Sequence, residues 1–334
     1  MATLVNTSAV QSLGWSAILG RYSLEKSYLP ILAAALSNPN KGFSEAAKTG
    51  DMDLVLYFVS QGANHWNWGM RWAAKGGHMD LVLYFVSQGA NEWSERSSNP
   101  TSFGCVGNGA MCEAAQGGHM DLVLYFVSQG ANDWNFGLHG AAKGGRMDLV
   151  LYFVSQGANA WNWGLYGAAK GGHMDLVLYF VSQGANDWNI GMRWAAAEGH
   201  MDLVLYFVSQ GANDWSERSS NPTSVRCVGN GGMWYAAQGG QMDTVLYFVS
   251  QGANDWNEGM RWAAKGGHMD LVLYFVSQGA NAWNTSLYGA AAGGHMDLVL
   301  YLVSQGANDW SKGMRGAVVG GHEKPIEFFK SKIN

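Results

Sequence analysis

Charge is the scarcest ingredient of this 334-residue chain: Asp, Glu, Lys and Arg make up 13% of it, about half the ~25% usual for soluble domains. Cysteine is nearly absent. Three thiols, Cys105, Cys112 and Cys227, cannot lay out a disulfide framework, and that points to a reducing compartment. There is no basic excess either. With a net charge of −5 the chain lacks the basic stripe that phosphate neutralisation requires, so nucleic acid is not an expected partner. The longest apolar run of the repeated part, "LVLYFV", falls far short of the ~20 residues of a membrane span. The N-terminal "MATLVNTSAVQSLGWSAILG" has no basic region to open a signal peptide. Together these absences lead us to expect a soluble, cytoplasmic protein with no membrane contact. Apolar letters at 48% exclude a disordered chain.

What is present is repetition. "MDLVLYFVSQGAN" begins at Met52 and recurs unchanged from Met79, Met120, Met147, Met174, Met201 and Met269; two more copies carry Thr244 and Leu302 as single changes. Successive methionines lie 27 residues apart except for two steps of 41, where fourteen residues are inserted at 94–107 and 216–229. The inserts, "SERSSNPTSFGCVG" and "SERSSNPTSVRCVG", read as surface loops, being rich in turn formers and without apolar periodicity. Their separation of 122 residues is three short steps and one long one, the mark of a duplicated four-repeat block.

"LVLYFV" alone suits a buried strand, but its flanks predict a helix. His78 to Gln88 makes about three turns, Asp80 lies where the dipole favours an anion, and Gly89 is placed to end it. Upstream, "WGMRWAAKGG" reads as a shorter first helix. The preceding residues Asn67, Asn108, Asn135, Asn162, Asn189, Asn230, Asn257, Asn284 and Ser311 are expected N-caps. A leucine-rich repeat can share this period, but its alternating leucines and fixed buried Asn are missing.

"AAKGGHMDLVLYFVSQGAN" resembles the ankyrin repeat: an Ala-Ala pair, Gly-His before the second helix, and Gly-Ala after it. The likeness runs from about Gly42 to Phe329. It implies an all-α, ankyrin-like α-solenoid of stacked antiparallel helix pairs, arranged as capping helices over 1–41, an array over 42–320 and a capping helix over 321–334. Each unit is six residues short, and "WGMR" or similar stands where Thr-Pro-Leu-His is usual, so the β-turn fingers should be short or absent. Finger-poor repeats of this kind resemble those of large DNA viruses of amoebae. The resemblance implies a viral, non-catalytic scaffold that binds a host or viral protein in the host cytoplasm, a monomer more readily than an oligomer. The alternative is a self-associating structural component.

Nothing suggests catalysis, a cofactor or a metal. His78, His119, His173, His200, His268, His295 and His322 recur once per repeat, and helices stacked at roughly 8–10 Å cannot bring them to one ion. They are expected to bond backbone at the turn between the helices. Ser, His and Asp letters come in every unit, whereas a triad is one asymmetric constellation.

Variation concentrates in two adjacent slots before Ala-Ala: Arg71-Trp72, Cys112-Glu113, His139-Gly140, Tyr166-Gly167, Arg193-Trp194, Trp234-Tyr235, Arg261-Trp262, Tyr288-Gly289 and Arg315-Gly316. The resemblance puts these on the concave face, and Trp, Tyr and Arg are the letters of interface hot spots. A rival reading has them filling the space of the deleted finger. The slot before the repeated Trp (His65, Glu92, Asp133, Ala160, Asp187, Asp214, Asp255, Ala282, Asp309) reads as an acidic rim, and the Trp itself as core. The leucine four after each Met, from Leu56 and Leu83 to Leu300, either forms an exposed row or is buried by rotation of the second helix; burial is the expectation.

Overall fold

The computed structural model describes residues 39–90, 108–212 and 230–333. Nearly all of the expected N-terminal cap, both inserts, Cys105 and Cys227 lie outside these residues. By contacts the chain divides into two compact units, Met1–Gly167 and Ala168–Asn334. In the first, helix pairs are α1 (Pro39–Thr49) with α2 (Met52–Ser60), α3 (Trp66–Gly76) with α4 (Met79–Ser87), α5 (Gly109–Gly117) with α6 (Met120–Ser128), and α7 (Trp134–Lys143) with α8 (Met147–Ser155). The division falls within α9 (Trp161–Gly171), whose partner is α10 (Met174–Ser182). In the second unit follow α11 (Trp188–Glu198) with α12 (Met201–Ser209), α13 (Asn230–Gly239) with α14 (Met242–Ser250), and α15 (Trp256–Gly266) with α16 (Met269–Ser277). Last come α17 (Trp283–Gly293) with α18 (Met296–Ser304) and α19 (Trp310–Gly320) with α20 (Glu323–Ile333). Among the described residues there is no strand, and no helix is long and apolar enough to cross a membrane.

Most second helices bury Leu, Val and Phe (Leu81, Val82 and Phe85 in α4), with Thr244 in α14 and Leu302 in α18 as single changes. That burial, about 1.5–3 kcal/mol per side chain, outweighs the strand preference of the β-branched letters. The helix ends on Gly89, at φ +96° with nothing near its Cβ position. The N–H of Ala90 reaches back to the Phe85 carbonyl at 3.0 Å, closing a glycine-terminated cap. Here glycine serves backbone conformation alone.

First helices carry the packing between repeats: within the first unit α1, α3, α5 and α7 pack in succession, and within the second α11, α13, α15, α17 and α19. Ala73 and Ala74 and their equivalents are fully buried between them. Glycine brings these backbones closer still. A Cβ at Gly140, Gly289 or Gly316 would lie 2.3–2.5 Å from the carbonyl oxygen of Cys112, Arg261 or Tyr288 one repeat earlier. The Gly of the variable slot is therefore a contact of backbones, not a missing side chain.

The helix-capping assignment is corrected by two residues, and in both roles. The first helices α3, α7, α9, α11, α15, α17 and α19 begin at the repeated Trp, and where the residue before it is Asp, that Asp is the cap; Asn108 keeps the expected cap position ahead of α5. Asp133, Asp187, Asp255 and Asp309 accept from the N–H three residues on, at 2.9–3.3 Å. The Asn expected as cap sits in the first turn and reaches forward to the next repeat. Asn135, Asn230, Asn257 and Asn284 each accept through Oδ1 from two consecutive backbone N–H groups, 24 and 25 residues later, at 2.8–3.1 Å. The turn, which also closes on itself where the Trp161 N–H donates to the Asn159 carbonyl at 2.9 Å, is stitched to its neighbour. The repeated Trp is half-buried rather than core, because it stands at the helix start beside this turn.

The histidines do bond backbone, across the repeat boundary. Nε2 of His78, His119, His200, His268 and His295 faces a carbonyl of the preceding first helix at 3.0–3.1 Å, or 3.3 Å for His200. A carbonyl only accepts, so Nε2 carries the proton. Arg146 makes the same link to the Gly117 carbonyl at 2.9 Å.

The leucine row is exposed, against expectation. Leu83, Leu124, Leu151, Leu178, Leu205, Leu246, Leu273 and Leu300 are 44–52% accessible. The second helix has not rotated, since Leu, Val and Phe already fill its inner face and the row lies about 200° from the first of them. Glu327 of α20 takes the same slot and is exposed, as are Lys330 and Lys332.

One in-chain pairing yields a stability test. Gly69, Gly137, Gly191, Gly232, Gly259 and Gly313 each seat a second-helix Phe ring 2.2–2.9 Å from where a Cβ would stand. Where Leu302 replaces that Phe, the facing residue is the fully buried Ser286. Leu302→Phe should lose roughly 1–3 kcal/mol by overpacking, and adding Ser286→Gly should restore most of it. A double-mutant cycle by denaturant unfolding measures this coupling.

A second test concerns the caps. Burial holds the Asp255 carboxyl above its ordinary range, with the Glu258 N–H opposing and the Glu258 charge adding to it. A carboxyl raised in the folded state loses stability as pH rises through its folded value. Asp255→Asn keeps an acceptor at the cap without that loss. It should be at least as stable as the parent at pH 7, with the advantage vanishing at pH values below the carboxylate range in thermal melts.

Candidate interaction surface

The variable pair is half of a wider stripe. On α3, Trp68, Arg71, Trp72 and Lys75 stand at i, i+3, i+4 and i+7, one face of a helix. All four slots vary along the array, and the slots of Trp68 and Lys75 were not singled out in the sequence. Helical spacing from the two that were would have found them. Trp68 is 52% and Trp163 38% accessible, more open than the flanking pair.

In the first unit the stripe pairs with itself. The Arg71 guanidinium lies over the Trp68 ring at 5.0 Å, while Lys48 and Lys75 lie over Trp72 at 5.6 and 5.1 Å. Glu113 of the next repeat sets its carboxylate 3.7 Å from Arg71 and 3.3 Å from Lys75. Lys75 also donates to Gln116 Oε1 at 3.0 Å. Cys112, a candidate contact residue, is buried with its carbonyl against Gly140, and it leaves the candidate surface for that reason. His139 Nδ1 meets the Trp163 carbonyl at 3.0 Å. Tyr166 is half-buried.

In the second unit the same slots join side by side. Lys170 lies 4.2 Å over the Trp194 ring. Trp194 meets Tyr235 at 6.5 Å, and Tyr235 stacks on Trp262 at 5.6 Å with planes 26° apart. Arg193 lies over Tyr235 at 5.7 Å; Arg261 and Lys265 lie over Trp262 at 5.6 and 4.8 Å. Tyr288 takes Arg261 on one side at 5.9 Å and Arg315 on the other at 5.5 Å. Trp234 is half-buried, and its indole Nε1 is turned inward where it meets no acceptor. Cations over ring faces are attracted by the quadrupole, at about 0.5–1 kcal/mol each when exposed. The result is one continuous ladder of rings and cations.

Among the described residues, Glu198 stands 3.8 Å from Lys170 and Glu258 stands 2.7 Å from Arg261. Burial, and then the Arg261 charge, press the Lys265 amine below its ordinary range. Among the described residues no group of His, Cys, Asp and Glu could hold a metal ion.

No protein-family model matches the chain, and no curated protein matches it. Among solved structures, the ankyrin repeat domain of human ASB11 is similar at 19% identity and a TM-score of 0.34, over 51% of this chain and 84% of that one.

Proposed function

We propose that the chain is a non-catalytic scaffold that binds a protein partner through the first-helix stripe. The observation that carries this reading is the ladder of Trp194, Tyr235, Trp262 and Tyr288 with its cations. It runs unbroken over successive repeats and is only half-buried. Large rings with polar handles on rigid helices are what interface hot spots are made of. The scaffold around them is constant, so specificity has nowhere else to reside among the repeated letters. The short repeat further supports a viral protein of the kind carried by large DNA viruses of amoebae, acting as a monomer in the host cytoplasm on a host or viral protein. Trp194→Gly and Trp262→Gly use a letter that other repeats hold in that slot. Both variants should keep the helical signal while capture of the partner from a host lysate falls at least about tenfold, since hot-spot truncation costs about 2 kcal/mol or more. Normal capture by variants that unfold would make these rings packing residues.

One observation favours a second reading. In each unit by itself, a half-exposed leucine recurs on successive second helices, and apolar surface that repeats in this way supports association. On this reading the chain is a structural component that joins its own copies. Sedimentation at micromolar concentration decides. Replacing Leu205, Leu246 and Leu273 by Glu, the residue that α20 has in this slot, should then dissolve any oligomer without altering the fold. A monomer at all concentrations removes this reading.

A further inference from the structure

Two repeats carry the same letters on their first helices and differ in what the next repeat offers them. "MRWAAK" is Met70–Lys75 in one unit and Met260–Lys265 in the other. In the first, the next repeat supplies acceptors. Glu113 places its carboxylate between Arg71 and Lys75, and Gln116 accepts from Lys75. In the second, the positions equivalent to Glu113 and Gln116 are Gly289 and Ala292. Both acceptors have been deleted, while Arg261 and Lys265 still flank the Trp262 ring at 5.6 and 4.8 Å. Arg261 keeps one carboxylate, Glu258 of its own helix. Lys265 is exposed and sits beside the Arg261 charge.

We propose that the Arg261–Trp262–Lys265 face takes a carboxylate from an acidic segment of a protein partner, in the place that Glu113 fills in the first unit. The inference rests on the protein-binding reading above and names the chemistry of the partner. Charge complementarity supports it. Around Trp262 and Tyr288 stand the three cations Arg261, Lys265 and Arg315, and among the described residues one carboxylate, Glu258, pairs with them, in a chain whose net charge is −5. The segment is extended. Alternate side chains of an extended chain stand about 6.6 Å apart, close to the ring-to-ring steps of 6.5 and 5.6 Å along Trp194, Tyr235 and Trp262. A single-stranded nucleic acid also brings negative charge, but it needs open ring faces on which bases stack. Here Tyr235 and Trp262 cover each other, and Lys170 and Lys265 stand over the outer rings.

The test uses the full chain and a labelled, extended peptide of alternating Glu and Ala, with an alternating Gln-Ala peptide and oligo(dT) as comparators, read by fluorescence anisotropy. Ala292→Glu supplies a carboxylate from the position equivalent to Gln116, whose side chain reaches Lys75 in the first unit, and so answers Lys265 from within. Ala292→Glu and Lys265→Ala should each weaken binding of the Glu-Ala peptide by roughly tenfold or more, as expected when one partner of a charge pair is removed. Lys75→Ala, in the set to which Glu113 and Gln116 already supply acceptors, should change it less than about twofold. Circular dichroism should show all three variants folded, because each side chain is on an accessible slot, and the contacts of Lys75, Lys265 and Ala292 with Gly117, Gly293 and Gly320 are made by carbonyls that the substitutions leave in place. Oligo(dT) binding at least as tightly, with the same response to the variants, overturns the proposal in favour of a nucleic acid. No binding of the Glu-Ala peptide also overturns it. Should the parent chain still capture a cellular protein regardless of Ala292→Glu, the scaffold reading survives and only the acidic partner is lost.

Discussion

The close approach of neighbouring first helices is the constraint on which the rest of the molecule depends. Backbone meets backbone at Gly140, Gly289 and Gly316, and buried Ala pairs hold the distance everywhere else. With so little room between them, first helices cannot insert large side chains into one another. Bulk is pushed to two places. Inward, it becomes the Phe of each second helix resting on a glycine. Outward, it becomes the stripe on which Trp, Tyr, Arg and Lys collect. Surface chemistry and core packing are thus two results of one spacing.

Much of this was legible in the sequence, and the reasons differ by element. The pairing of helices followed from the Ala-Ala and Gly-His letters and from glycine at each end. That histidine is structural followed from its presence in every unit. What was misread depended on two residues of register. Asn and Asp both favour caps, and only the three-dimensional path shows that Asp133 caps its own helix while Asn135 reaches the next repeat. The leucine row was misjudged because hydrophobicity alone suggested burial. The inner face had already been filled by Leu81, Val82 and Phe85, and a nine-residue helix has no second inner face. Half of the interaction stripe was missed because adjacent letters were compared rather than letters three and four apart. Cys112 was placed on the surface because its neighbours in that column are large and polar; its small thiol is drawn under instead.

The distribution of charge gives the second unit its character. Second-helix aspartates, one per repeat, lie exposed near the helix starts, where the dipole favours an anion. The cations gather on the first helices. In a protein that is acidic in sum, the second unit gathers cations beside its first-helix rings. Glu113 and Gln116 lie beside Arg71 and Lys75, while Gly289 and Ala292 hold the same positions beyond Arg261 and Lys265.

The links between repeats have a property that bears on how such a chain changes length. Asn Oδ1 accepts from main-chain N–H groups, and His Nε2 donates to a main-chain carbonyl. Every residue except proline offers the same atoms. Junctions written in backbone are blind to the identity of what they join, so any unit can follow any other. Copies can be gained, lost or reordered in whole multiples without any interface having to be reinvented. The row of stripe residues then behaves like type set in a frame: its order can be recomposed while the frame stays the same.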